Sequence, residues 1–187
     1  MEELYAPKVI AALLQKYQLA PLKKLGQNFL RDENIVEKIA QAAVCPGENV
    51  LEIGPGLGVL TRALARRAKK VVAVEIDKGM VEALGETVGD LEQVRVLWQD
   101  FLKADLARIA REHFSGEPFA VAGNLPYYIT SKCLLKVLEA PVPVMRFTAM
   151  VQKEVASRLM ARPGDADYGA ITASVAYYGQ VRLLFHV

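Results

Sequence analysis

The chain has 187 residues, of which 52% are hydrophobic, and this is enough apolar material for the core of one domain of ordinary size. Its formal net charge is only +2, so composition alone does not indicate a nucleic-acid-binding protein. An apolar stretch of about eighteen residues, which a membrane-spanning helix needs, is absent, as is a secretory signal at the N-terminus. We therefore expect a cytoplasmic protein without a membrane partner.

The two cysteines, Cys45 and Cys133, are far apart in the sequence and have no histidine nearby. This spacing indicates neither a zinc site nor a disulfide framework, so we expect both thiols to be reduced and buried. The sequence offers no other cluster of metal ligands, and no metal is expected.

Two amphipathic helices are predicted at the start of the chain. Apolar residues recur at helical spacing from Pro7 to Tyr17, and again from Ile35 to Ala43 after a possible N-cap at Asp32.

From Asn49 onward, short apolar runs alternate with longer helical stretches. This alternation predicts repeated βαβ units, and hence an α/β fold with a mostly parallel sheet covered by helices on both faces. RPGDADYG is predicted to be a loop and ITASVAYYG a last helix. The predicted strands are NVLEI, VVAVEI, VRVLWQ, FAVAG, VMRFTAMV and VRLLFHV, and the helices among them are VLTRALARRA, GMVEALGETV, LARIAREHF, KCLLKVLEA and KEVASRLMAR.

A glycine-rich segment, EIGPGLG at 52–58, follows the first predicted strand. In an open α/β sheet, ligands bind beyond the carboxyl ends of the strands, where the strand order reverses. Gly54, Gly56 and Gly58 permit a tight turn and a close approach of a ligand to the backbone and to the next helix N-terminus. A glycine triplet can also form a strand-to-helix turn that binds nothing.

The next two strand ends carry acids. Glu75 follows the glycines by about 20 residues, the spacing at which an acid accepts both hydroxyls of a ribose. Asp100 can accept from an adenine amino group, with the Phe101 N–H available to the ring and the side chains of Ile76 and Leu102 available to its faces. Each acid has an ordinary alternative, since Glu75 could be a solvated carboxylate and Asp100 could cap the following helix.

These features suit either a nicotinamide dinucleotide or S-adenosylmethionine. A dinucleotide fold usually spaces its glycines as G-x-G-x-x-G to seat a pyrophosphate, whereas the order here is G-P-G-L-G, preceded by Glu52. This difference favours a ligand without phosphate.

The fourth strand end is NLPYYIT at 124–130. The amino nitrogen of adenine is a poor nucleophile because its lone pair is delocalised into the ring. Acceptance of its two N–H groups by the Asn124 amide oxygen and the Leu125 carbonyl would aim that lone pair at a methyl group. Pro126 would fix the turn and Tyr127 would stack on an extruded base. The alternative is a turn with aromatic core residues.

Taken together, these segments resemble one known family. GQNFL (26–30), EIGPGLG (52–58), VEID (74–77), QDF (99–101), NLPYYIT (124–130) and QKEVASRL (152–159) are similar, in order and spacing, to the ribosomal RNA adenine N6-dimethyltransferases, most closely those of the small subunit. The resemblance implies a Rossmann-like, S-adenosylmethionine-dependent enzyme that methylates two adjacent adenosines near the 3′ end of 16S rRNA, twice each. The implied partner is 16S rRNA within the small ribosomal subunit or its precursor, and we expect a monomer.

The resemblance also implies roles for single residues. Residues 1–48 would comprise the N-terminal helices and a cofactor-closing segment, and residues 49–187 the methyltransferase core of the same domain. Family members continue beyond a strand like VRLLFHV into an antiparallel strand and a small helical domain that contacts RNA, and we expect this chain to lack both. The implied cofactor-binding residues are Asn28, Leu30, Gly54, Gly56, Glu75, Ile76, Asp100, Phe101 and Asn124, and the implied catalytic residues are Asn124, Leu125, Pro126 and Tyr127.

Basic residues form two local groups. Lys23, Lys24 and Arg31 flank GQNFL and could meet phosphates at the mouth of the site. The second group is predicted to form a solvated helix face; it comprises Arg62, Arg66, Arg67, Lys69 and Lys70.

Three other functions remain compatible with the sequence. The nearest is an adenine N6-methyltransferase of large-subunit 23S rRNA, of the antibiotic-resistance type. A small-subunit assembly factor without catalytic activity would use the same fold, and a nicotinamide-dependent oxidoreductase would bind NADH instead of S-adenosylmethionine.

Overall fold

A parallel five-stranded sheet forms the centre of the protein. The computed structural model describes residues 4–19, 30, 32–125 and 129–187. The strand order is β3-β2-β1-β4-β5, and every neighbouring pair is parallel. The strands are β1 (Asn49–Ile53), β2 (Lys70–Glu75), β3 (Val94–Trp98), β4 (Phe119–Asn124) and β5 (Val144–Met150).

Helices follow the strands as the alternating pattern predicts. Within the ranges that the structure describes, no helix is long and apolar enough to cross a bilayer. A short 3-10 helix, Phe101–Lys103, follows β3. The α-helices are α1 (Pro7–Lys16), α2 (Glu33–Ala43), α3 (Val59–Ala65), α4 (Lys78–Thr87), α5 (Leu106–Phe114), α6 (Thr130–Glu139), α7 (Lys153–Met160) and α8 (Ala170–Tyr178).

Both faces of the sheet are covered, because successive residues of a strand point to opposite sides. Val50 of β1 belongs to a core cluster that includes residues of α1 to α4, whereas the neighbouring Leu51 belongs to a cluster with residues of α5 and α6. All five residues of β1 are buried, and the edge strands β3 and β5 are mostly half-buried or exposed. The predicted α/β fold is confirmed, and burial on both faces explains why the central strands consist mostly of apolar residues.

Aspartates cap three of the α-helices that the structure describes: Asp32 at α2, Asp77 at α4 and Asp105 at α5. The predicted cap at Asp32 is confirmed, since its Oδ1 accepts from the Asn34 N–H at 2.8 Å. Asp77 caps α4 through the Met80 N–H at 3.1 Å. A side-chain acceptor here satisfies backbone donors that have no partner inside the helix.

The strand predicted for VRLLFHV is wrong. Residues 180–187 have no regular secondary structure. Leu183 and Leu184 are exposed, and only Phe185 packs against the first core cluster. An apolar run of this kind has the propensity for a strand, but it becomes one only when it is paired in a sheet.

The two thiols differ. Cys133 is buried as predicted, and burial raises its pKa to about 11, which keeps it protonated and unreactive. The prediction of burial is wrong for Cys45, which is exposed in the loop after α2, where its N–H bonds to Glu48 Oε2 at 2.8 Å. Cys45 lies two residues beyond the end of α2, so it is no longer on the apolar face that this helix buries.

The second basic group lies on the surface but is paired. Lys69 Nζ bonds to Glu117, Lys70 Nζ to the His113 carbonyl, and Arg67 Nε to the Val44 carbonyl. Arg62 and Arg66 form ion pairs with Asp90 and Glu37, respectively. The prediction of a solvated face is therefore correct for Arg66 and Lys69, whose side chains are more than half exposed, and the charges of this group are paired.

Gly58 should be sensitive to substitution. Its φ is +84°, and a Cβ there would lie 2.7 Å from Val88 Cγ1 and 3.0 Å from Leu84 Cδ2. We expect Gly58→Ala to lower the free energy of unfolding by about 2–3 kcal/mol in urea denaturation, because backbone strain and overpacking add. Gly85→Ala is the control, since a Cβ at Gly85 meets no described atom within 4 Å. Equal losses in the two variants would contradict this account of the loop.

Candidate functional site

The predicted site residues that the structure describes lie at the carboxyl edge of the sheet. Gly54 follows β1, Glu75 ends β2, Asp100 follows β3 by two residues, and Asn124 ends β4. The strand order reverses between β1 and β4, so the glycine loop and Asn124 flank the position where open α/β sheets bind ligands. Leu30 is half-buried against the first core cluster. The remaining predicted site residues, Asn28, Pro126 and Tyr127, lie outside the described residues, as do Lys23, Lys24 and Arg31.

The glycine loop is tightly folded and open on one side. Gly54, Gly56 and Gly58 have φ values of +65°, +58° and +84°, which L-residues rarely adopt. The Gly54 N–H donates to the Val74 carbonyl at 3.0 Å, which fixes the loop to β2. A Cβ at Gly54 would meet no described atom within 4 Å, so a ligand can approach the backbone there.

Glu75 connects the end of β2 to this loop. Its carboxyl group is buried, and it accepts hydrogen bonds from three backbone N–H groups: Ile76 at 2.9 Å and Asp77 at 3.0 Å on Oε1, and Gly56 at 3.2 Å on Oε2. Burial raises the pKa of Glu75, and the three donors partly offset that rise. A carboxylate has about four acceptor positions, so the three bonds from the described residues leave room for a ligand hydroxyl.

Asp100 begins the short 3-10 helix. Its Oδ1 accepts from the Leu102 N–H at 2.9 Å, and its Oδ2 lies 3.9 Å from Lys103 Nζ. The capping role that the sequence allowed is therefore confirmed. Phe101 is buried, whereas the side chain of Ile76 is 63% exposed, so only Ile76 of these two offers an open apolar surface at this edge.

The end of β4 passes close to β1. A Cβ at Gly123 would lie 2.8 Å from the Ile53 carbonyl oxygen and 2.9 Å from Leu125 Cδ2. Leu125 is 2% exposed and anchors the segment that begins with Asn124, which is half-buried. In the sequence, Gly123 is the last residue of the predicted strand FAVAG. The signal was available, because a glycine inside a strand pattern often marks a close backbone approach.

Glu52 is a second buried acid beside the glycine loop. It is 1% exposed and lies in register between Ala73 and Ala122, whose small side chains leave room for it. Neither its Oε2 nor Thr61 Oγ1 makes a hydrogen bond among the described residues, although the nearby hydroxyl lowers the pKa of Glu52 to a small extent. Burial dominates and raises that pKa to about 8.

Glu52 should make stability depend on pH. Because its pKa is higher in the folded protein than in the unfolded chain, the unfolded chain loses the proton first as pH rises. The free energy of unfolding should therefore fall by about 1.4 kcal/mol per pH unit between about pH 5 and pH 8 through this group. We expect Glu52→Gln to remove that slope in urea denaturation at several pH values.

The control for this variant is Glu92→Gln, at an exposed position, which should keep the slope. Glu75, whose pKa burial also raises, is present in all three proteins, so part of the pH dependence should remain in each. An unchanged slope in Glu52→Gln would show that the Glu52 carboxyl is not the titrating group.

The sequence of residues 21–187 matches the family model described as "Ribosomal RNA adenine dimethylase". The chain belongs to this family. The resemblance expected from GQNFL, EIGPGLG and NLPYYIT is thereby confirmed, since the match covers all three segments.

Curated relatives in the ribosomal RNA adenine dimethylase family align with the whole chain. The "Ribosomal RNA small subunit methyltransferase A" of Alkaliphilus oremlandii is 45% identical over 188 residues, covering 100% of this chain and 66% of the relative. The protein of the same name from Clostridioides difficile is 44% identical over 179 residues, covering 95% and 62%. The chain thus spans slightly less than two thirds of the length of these relatives.

Solved structures of related proteins share the fold. A dimethyladenosine transferase from Plasmodium falciparum superposes with a TM-score of 0.65 at 30% identity, covering 80% of this chain and 52% of that one. The 23S rRNA methyltransferase ErmE superposes with a TM-score of 0.63 at 39% identity, covering 71% and 51%. The Rossmann-like methyltransferase fold expected of the dimethylase family is confirmed.

Proposed function

We propose that the protein transfers methyl groups from S-adenosylmethionine to N6 of two adjacent adenosines near the 3′ end of 16S rRNA in the small ribosomal subunit, twice each. The observation that supports this most strongly is structural. The carboxyl edge presents an open glycine loop, the buried acid Glu75 and the amide Asn124 around one strand-order reversal, in a member of the dimethylase family.

The residues of this edge fit S-adenosylmethionine. Gly54 leaves open space beside its backbone for the methionine part, and Glu75 retains one acceptor position for a ribose hydroxyl. Among the described residues, Asp100 Oδ2 has a long contact of 3.9 Å with Lys103 Nζ, so it can accept from an adenine amino group, while Ile76 offers its exposed side chain to the ring. S-adenosylmethionine would supply a methyl group already activated by its sulfonium.

Asn124 and Leu125 would activate the target adenine. The Asn124 amide oxygen and the Leu125 carbonyl each accept one N–H of the adenine amino group, which favours a pyramidal nitrogen with its lone pair directed at the methyl donor. These two acceptors are held in position by the buried Leu125 side chain and by the close approach of Gly123 to β1. The proposed stacking of the base on Tyr127 rests on the sequence alone.

A second candidate is supported by the likeness to ErmE, at 39% identity over 71% of the chain. In that case the same site would methylate 23S rRNA. Small-subunit rRNA is favoured because the Alkaliphilus oremlandii relative named for it is 45% identical over the whole chain. Neither an oxidoreductase nor an assembly factor without activity is favoured by any of these likenesses.

Radiolabelled methyl transfer tests the proposed substrate. The protein, in excess, is incubated with small-subunit particles that lack the modification or with naked 23S rRNA, at one salt concentration because RNA binding depends strongly on salt. We expect label in the 16S rRNA of the particles and none in 23S rRNA. Label confined to 23S rRNA would establish the second candidate, and label in neither would contradict both.

A further inference from the structure

Trp98, the single tryptophan of the chain, lies at the candidate cofactor site. It is the last residue of β3 and is paired in register with Glu75 of β2. Its side chain is 63% exposed, so it gains little of the burial that a tryptophan in the core obtains. Packing alone therefore does not explain a tryptophan at this position.

The indole of Trp98 makes one specific bond. Its Nε1–H, which is the only hydrogen-bonding group of the side chain, donates to the Ile76 carbonyl at 3.1 Å. The bond reaches from the end of β3 to the segment that follows β2. In the same place, the Gln99 N–H donates to the Glu75 carbonyl at 2.8 Å, so β3 holds this segment at two successive carbonyls.

The segment from Glu75 to Asp77 is thereby fixed from both sides. The Glu75 carboxylate accepts the N–H groups of Ile76 and Asp77, while Trp98 binds the carbonyl of Ile76. The result is an isoleucine held with its side chain 63% exposed at the ligand edge of the sheet. An apolar side chain fixed in that position is preorganised for a ligand and loses little freedom when one binds.

We propose that Trp98 is a positioning residue for the cofactor, whose indole N–H fixes Ile76 and Glu75 where they contact the adenosine part of S-adenosylmethionine. This role rests on the proposed function. Trp98 would act through the Ile76 backbone. Affinity for the cofactor should therefore depend on the indole N–H group rather than on the size or hydrophobicity of the ring.

Replacement of one atom tests this role. Because the chain has one tryptophan, growth on benzothienylalanine, an isostere with sulfur in place of the indole N–H, changes only position 98. We expect S-adenosylhomocysteine to bind about three- to tenfold more weakly in calorimetry, the effect of losing one hydrogen bond of ordinary strength. Trp98→Phe should show a similar loss.

Two further measurements separate positioning from a general loss of structure. In the ligand-free protein, the amides of Ile76 and Asp77 should exchange hydrogen about threefold faster or more in the isostere, while amides of β1 remain unchanged. The thermal midpoint should move little, since the ring is largely exposed.

The outcomes are distinct. Unchanged affinity of the isostere for S-adenosylhomocysteine would overturn the positioning role and leave the proposed function intact. If RNA binding fell while that affinity stayed unchanged, the positioning role would also be overturned, because Trp98 would then contact a base directly. If the unmodified protein failed to bind S-adenosylhomocysteine at all, the proposed cofactor and the role of Trp98 would both be overturned.

Discussion

Replacement of Asn124 by alanine is expected to lower the rate of methyl transfer by about 10²-fold or more, the typical cost of losing a preorganised polar contact at a reacting centre. Asn124 ends β4 beside the strand-order reversal, and the adjacent Leu125 is 2% exposed, so its position is set by the core. Without the amide oxygen, one N–H of the target amino group loses its acceptor. Single-turnover rates at saturating cofactor and substrate measure this effect.

The matched control for this variant is Asn34→Ala, which removes an exposed amide in the first turn of α2 and should leave the rate unchanged. Affinity for small-subunit particles should largely survive in Asn124→Ala, because phosphate contacts dominate RNA binding. If the methyl-transfer rate of Asn124→Ala were within about threefold of that of the unmodified protein, Asn124 would have no catalytic role. If the protein acted only by binding small subunits, Asn124→Ala would not impair its function.

Glu75→Ala should weaken the binding of S-adenosylmethionine by about 1–3 kcal/mol, or about 5- to 150-fold, since it leaves buried polar partners unpaired. The N–H groups of Gly56, Ile76 and Asp77 lose their acceptor, and so would a ribose bound as proposed. The loop then loses one of its connections to β2, while the bond from the Gly54 N–H to the Val74 carbonyl remains. Calorimetric titration with S-adenosylhomocysteine measures the loss without turnover.

Glu75→Gln distinguishes geometry from charge in this position. It keeps one carbonyl oxygen for the loop but replaces the other with a donor, so we expect an affinity between those of the unmodified protein and Glu75→Ala. The exposed Glu92→Ala serves as the control. If both Glu75 variants bound as tightly as the unmodified protein, the ribose would have to be held elsewhere.

The strands of the central sheet could be predicted because a strand that is buried on both faces has apolar residues at successive positions. NVLEI, VVAVEI and FAVAG are apolar or small at almost every position, and all three became strands. VRLLFHV is a similar apolar run, but it has no regular secondary structure. Whether such a run becomes a strand depends on a partner distant in sequence, and local composition holds no information about that partner.

The location of the site could also be predicted, but not its internal connections. Topology alone places Glu75, Asp100 and Asn124 at one edge, since the carboxyl ends of parallel strands coincide. The bond between Gly56 and Glu75, and that between Trp98 and Ile76, depend on how two loops meet in space. The exposure of Cys45 is of the same kind, because it depends on where α2 ends against the sheet.

Binding of S-adenosylmethionine at the carboxyl edge of the sheet is the basis of the proposed function. Calorimetric titration of the unmodified protein with S-adenosylmethionine and with NADH, side by side in one buffer, tests it most directly. We predict saturable binding of S-adenosylmethionine at one site and no heat of binding for NADH. Saturable binding of NADH together with none for S-adenosylmethionine would contradict the account.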